Sequence, residues 1–101
     1  MHLLWDDTPL PKGVQVNIAV PSGEGTGRIT IRGDHSLAAI FEGVKNGVFQ
    51  ALEDDGTPVA RATVTVEAVN FYAVAGSPDE DAAAEIHGIA TGAMPSGGFY
   101  S

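Results

Sequence analysis

The run GEGTG, with Gly23, Gly25 and Gly27, invites a phosphate-binding reading. Glycines at that spacing can let backbone N–H groups cradle a phosphate, provided that they open a helix and are followed by GK[ST]. Neither condition holds. Alternating apolar residues flank the run on both sides, so it reads as a hairpin turn, and no GTPase signature occurs elsewhere. His2, His35 and His87 are the only histidines. None lies four residues from another, whereas a metal needs several ligands converging in a set geometry. With no cysteine in the chain, neither a thiolate site nor a disulfide is available. Ser22, Ser36, Ser77 and Ser96 fall in turns or at helix caps, without a histidine and an acid arranged about any of them. The reading is of a non-enzymatic chain with no catalytic residue, no cofactor and no metal.

Charge narrows the partners. The net charge is −8, and after Arg61 there is no lysine or arginine, while Glu67, Asp79, Glu80, Asp81 and Glu85 lie in that stretch. Binding to duplex nucleic acid draws on clustered cations, and only Lys12, Arg28, Arg32, Lys45 and Arg61 could supply them. Direct duplex binding is therefore not expected. The acidic run Glu53, Asp54, Asp55 suits a solvated turn or contact with a basic partner. A hydrophobic fraction of 44% with 18% charged residues belongs to a globular chain rather than a disordered one. No apolar run approaches the roughly 18 residues of a membrane span. The beginning, MHLLWDD, lacks the basic region of a signal peptide. A cytoplasmic location and no membrane partner are the expectations.

The elements that must position these residues follow from periodicity. Val14, Val16, Ile18 and Val20 alternate with polar or small residues, and Ile29 and Ile31 alternate with Arg28, Thr30 and Arg32. A period of two around PSGEGTG predicts an antiparallel hairpin, with MHLLWDD as a further strand beside it. Asp34 or Ser36 can cap a helix over Leu37, Ile40, Phe41, Val44, Val48, Ala51 and Leu52, whose spacing is three and four. Gly56 and Pro58 would end that helix. Ala60, Ala62, Val64, Val66 and Ala68 then alternate with Arg61, Thr63, Thr65 and Glu67, a half-buried strand. Its phase breaks at Val69 and Phe71, predicting a bulge or exit at 68–70. A second helix is predicted from Ser77, with Pro78 at its first position and Glu80 completing a capping box. Ala82, Ile86, Ile89, Ala90 and Ala93 would be its buried stripe.

These elements sum to an α+β fold: a two-layer sandwich whose mostly antiparallel sheet carries two helices on one face, in the order β-β-β-α-β-α. Residues 1–94 form one domain. Residues 95–101 are expected as a flexible tail, or at most a short terminal strand through Phe99 and Tyr100.

The segments GVKNGVFQALEDDG, PVARATVTV and DEDAAAEIHGIATGA, taken in that order, resemble the fourth domain of the translocating GTPase elongation factor G and its eukaryotic counterpart. There a helix of the form A-V-E-K-G-I-x-E-A-L leads through a Gly- and Pro-containing turn to a V-x-V strand, an aromatic loop and an Ala-, Ile- and Gly-rich helix. The resemblance spans roughly residues 14–94. It implies a left-handed βαβ crossover, against the usual preference, and a distal tip of two loops that meets messenger and transfer RNA in the decoding centre. By position the tip corresponds to 33–36 and 70–77, giving Gly33, Asp34, His35, Asn70, Phe71, Tyr72 and Val74 as binding candidates. Where the family's second loop runs aromatic, His, Asp, hydrophobic, Asp, this chain has Phe71, Tyr72, Ala73, Val74 and Ala75. The acids are gone, and an apolar tip suits stacking or protein contact.

Two functions follow as expectations. One is a stand-alone domain that binds the ribosome or another translation component. The other is an acidic interaction module, docking a protein partner or a second copy through the apolar tip, with no role in translation.

Overall fold

The run NGVFQAL turns every second residue, Gly47, Phe49 and Ala51, into the interior, and leaves Val48, Gln50 and Leu52 half exposed. That is the period of a strand, not of a helix. In the computed structural model, which describes residues 1–20, 25–72, 83–93 and 97–100, it is one of eight strands. They are β1 (His2–Trp5), β2 (Thr8–Pro9), β3 (Gln15–Ala19), β4 (Thr26–Asp34), β5 (Asn46–Leu52), β6 (Pro58–Tyr72), β7 (Ala83–Ala93) and β8 (Gly97–Tyr100). Between β4 and β5 a single 3-10 turn, His35–Leu37, leads into a short helix α1, Ala38–Phe41.

The strands form one sheet in the order β2-β1-β5-β6-β7-β4-β3-β8, and every neighbouring pair is antiparallel. The sheet is strongly curled. Phe49 on β5 and Phe99 on β8 meet with ring centroids 6.1 Å apart, and β1 approaches β8 across the open side. Inside the curl lie Leu3, Trp5, Val14, Val16, Ile18, Ile29, Ile31, Phe49, Val64 and Ile86, with Leu37 and Phe41 from the turn and α1. Trp5 and Phe41 pack at 4.8 Å between centroids. Each such side chain contributes about 1.5–3 kcal/mol on burial, and this interior holds the half-barrel together.

The α+β sandwich with two helices is therefore not the fold. The first predicted helix stops at Phe41, because Gly43 takes a φ of +75°, the left-handed conformation that ends helices. Glu42 N–H closes on Ala38 C=O at 3.1 Å, and Val44 N–H on Phe41 C=O at 3.1 Å. Gly47 serves the indole of Trp5: a Cβ there would sit 2.4 Å from Trp5 Cζ2. The second predicted helix is strand β7, paired with β6 on one side and β4 on the other. Ala84, Ile86, Gly88 and Ala90 face inward there. At Gly88 the chains approach so closely that a Cβ would lie 2.5 Å from the Thr65 carbonyl oxygen. The capping box at Ser77, Pro78 and Glu80 lies outside the described residues. A βαβ crossover joins parallel strands, and no described pair is parallel, so the left-handed crossover is absent as well.

Other elements follow the sequence reading more closely. The β3–β4 hairpin pairs Gln15 with Arg32 through to Ala19 with Arg28. Strand β6 buries Ala60, Ala62 and Val64, and its register shifts between Val66 and Ala68, leaving Glu67 as the extra residue of a bulge. Strand β1 pairs with β2 and β5 rather than with the hairpin. From the segment expected as a tail, Gly97–Tyr100 form β8 on β3, with Phe99 buried. No helix among the described residues is long and apolar enough to cross a membrane.

Candidate functional site

Strands β4, β7 and β6 rise together at one end of the half-barrel, and their register lines up the candidate residues as rungs. Gly33 lies opposite Ala84, which lies opposite Phe71; Asp34 lies opposite Ala83, which lies opposite Tyr72. One rung lower, Arg32, Glu85 and Asn70 align. Directly opposite residues of an antiparallel sheet share a face. Phe71 thus continues the inward row of Ile86 and Val69, while Tyr72 joins the outward row. Both have run past the interior: Phe71 is 45% exposed and Tyr72 49%.

Of the two tip segments of the sequence reading, Gly33–Asp34 and Asn70–Tyr72 flank β7 from either side. They are strand residues and not loops, and 73–77 lie outside the described residues. His35 follows directly in the 3-10 turn. Val74 lies outside the described residues.

Asp34 ends β4 and caps that turn. Its Oδ1 accepts the Ser36 backbone N–H at 2.9 Å and also the Ser36 hydroxyl. The hydroxyl bond, then the backbone one, hold its carboxyl below the usual aspartate value, because both favour the charged form.

Below the rim an ionic row crosses three strands on the outer face. Arg32 Nε donates to Glu85 Oε2 at 3.0 Å, and His87 Nε2 lies 2.5 Å from Glu85 Oε1. Glu85 and His87 are two apart on β7, so they share its outer face, a spacing that is visible only once 83–93 is read as a strand. Arg28 reaches past β7 to Glu67 at 3.2 Å. Beside this row, a shallow polar depression of about 240 Å³ opens among Gln15, Asn17, Thr30, Arg32, Gly98 and Tyr100.

What the rim offers chemically is contact area. Two adjacent aromatic rings of opposite facing stand on a backbone held by β7, and exposed aromatics are the side chains that contribute most to protein contacts. Among the described residues, no group of three or more His, Asp or Glu side chains converges as metal ligands would. The Glu85 carboxylate is engaged by Arg32 of β4 and by His87 of its own strand, so the row clamps β7 to β4.

A comparison with protein-family models finds no match, and comparisons with curated proteins and with solved structures find none at a significant level. The likeness to the elongation factor domain reads GVKNGVFQALEDDG and DEDAAAEIHGIATGA as helices, whereas residues 46–52 and 83–93 within them are β5 and β7. The α+β scaffold that pointed to translation is thus replaced by a curled sheet, and nothing found here supports a ribosomal role.

Proposed function

We propose that this chain is a non-enzymatic binding module that docks a protein partner through the rim carrying Phe71 and Tyr72. The observation that carries the reading is the exposure of these two neighbouring rings, 45% and 49%, at the end of a ribbon that has outrun the core. Single exposed apolar groups need no explanation, but two half-exposed aromatics, one on each face of the same strand end, offer the kind of contact area on which interface centres draw. The acidic balance of the chain, −8, keeps it soluble without help from the rim, so the aromatic pair is not a by-product of a shortage of charge.

The test is capture on the immobilised full chain, with the wild type and a Phe71→Ala, Tyr72→Ala double variant run side by side. Proteins held by the wild type and lost by the variant are expected. Equal retention by both would remove the rim from the interaction. A ribosomal component among the lost proteins would supply the partner that the translation reading needs, and a second copy of the chain would make the module a homo-oligomer.

A further inference from the structure

We infer that the partner enters as an extended, basic segment that adds to β6 at residues 67–72, along the edge that faces away from β7. The inference rests on the rim reading above and specifies its occupant. Strand β6 has fifteen residues and β5 only seven. Their pairing begins at Asn46 with Thr65 and reaches one step further, where Val66 N–H donates to Lys45 C=O at 2.8 Å. Beyond that point the chain before β5 turns away through Gly43. Residues 67–72 stay paired with β7 as far as Tyr72 with Ala83. On their other side, among the described residues, no strand lies alongside.

Such an edge presents backbone N–H and C=O groups in the extended geometry that another strand needs. Because β7 already fixes the backbone, an incoming segment finds its template preorganised, and the ordering cost falls on the partner alone. Proteins usually guard long edges with lysine, proline, inward charges or a bulge, and the bulge at Glu67 guards only the start of this one. Here the only charged residue of the six is Glu67; the others are Ala68, Val69, Asn70, Phe71 and Tyr72. Side chains of an added strand would alternate between the Phe71 side and the Tyr72 side.

The charge of the occupant follows from the surroundings. The chain has no lysine or arginine after Arg61. The two nearest arginines, Arg28 and Arg32, are engaged by Glu67 and Glu85. Lys45, whose carbonyl accepts the Val66 N–H, borders only the start of this edge, so cations along residues 68–72 must come from the partner. A second copy, itself at −8, would bring like charge and is the less favoured occupant.

A displayed library of random peptides selected on the immobilised full chain at physiological salt tests this directly. The recovered peptides should be enriched in Lys or Arg among β-branched residues. They should slow amide hydrogen exchange at residues 67–72 by about tenfold or more. Two copies of the best peptide, N-methylated at odd or at even positions, then separate backbone from side-chain recognition. Strand addition predicts that one copy loses about tenfold in affinity while the other keeps it. Recovery of acidic or neutral peptides, protection elsewhere, or no binder at all would overturn the inference. If both N-methylated copies bind equally but the Phe71→Ala, Tyr72→Ala variant does not, strand addition fails and side-chain docking at the rim stands. If neither change matters, both readings fail.

Discussion

Phe49 and Phe99 meet at a tilt across the interior, 6.1 Å apart and inclined at 55°, although four strands lie between β5 and β8 in the sheet. Only a curled sheet brings them together. The contact makes the last described strand part of the core. Phe99→Ala should therefore cost about 3–5 kcal/mol, the range for a buried phenylalanine, read by urea unfolding. A loss below about 1 kcal/mol would mean that β8 is peripheral.

Gly47→Ala separates the two readings of residues 46–52 by sign. In an exposed helix the change would stabilise by about 1 kcal/mol. In β5 the new methyl meets the Trp5 indole at 2.4 Å, and overpacking of this kind costs about 1–3 kcal/mol. Thermal unfolding should show a lowered midpoint, and a raised one would restore the helix.

Why one half of the fold was legible and the other not can be traced to particular residues. In β3, β4 and β6 the large β-branched residues Val16, Ile18, Ile29, Ile31 and Val64 alternate cleanly with polar neighbours, and the period of two is unambiguous. In β5 and β7 the inward positions are partly Gly47, Ala51, Ala84, Gly88 and Ala90. Small residues there let neighbouring elements approach, yet they weaken the alternation and permit a stripe at three and four to be drawn through the same segment. Pairing on both edges then decides for the strand, a tertiary effect that no local propensity carries. At the rim, Gly33, Asp34, Asn70, Phe71 and Tyr72 are expected in two loops and lie on β4 and β6 instead, while their neighbours Ala83, Ala84 and Glu85 are not singled out because β7 reads as a helix in the sequence.

Asp34 gives a pH dependence with a definite sign. Its folded value is lowered from 3.8 by the Ser36 hydrogen bonds. A lowered value means that the stabilisation is present above pH 3.8 and fades as the pH falls through the folded value. Asp34→Ala should cost about 1 kcal/mol at neutral pH, and less in acid. Equal losses in urea titrations at neutral and acid pH would show that the carboxylate does not act as the cap.

The rim should be nearly free of structural duty. Replacing Phe71 and Tyr72 by Ala should change stability by about 1 kcal/mol or less, because both residues are already about half exposed and their backbones stay paired with Ala84 and Ala83. Loss of several kcal/mol in urea unfolding would mean that the rings serve folding rather than docking.

The most direct test of the docking claim is a photoreactive phenylalanine analogue placed at Tyr72, with Tyr100 as the control, in living cells of the source organism. Tyr100 is the more exposed of the two, at 63%, so simple accessibility favours the control. A discrete protein adduct from position 72 that is absent from position 100 is the predicted result. Adducts of equal yield and identity from both positions, or none from position 72, would contradict the account.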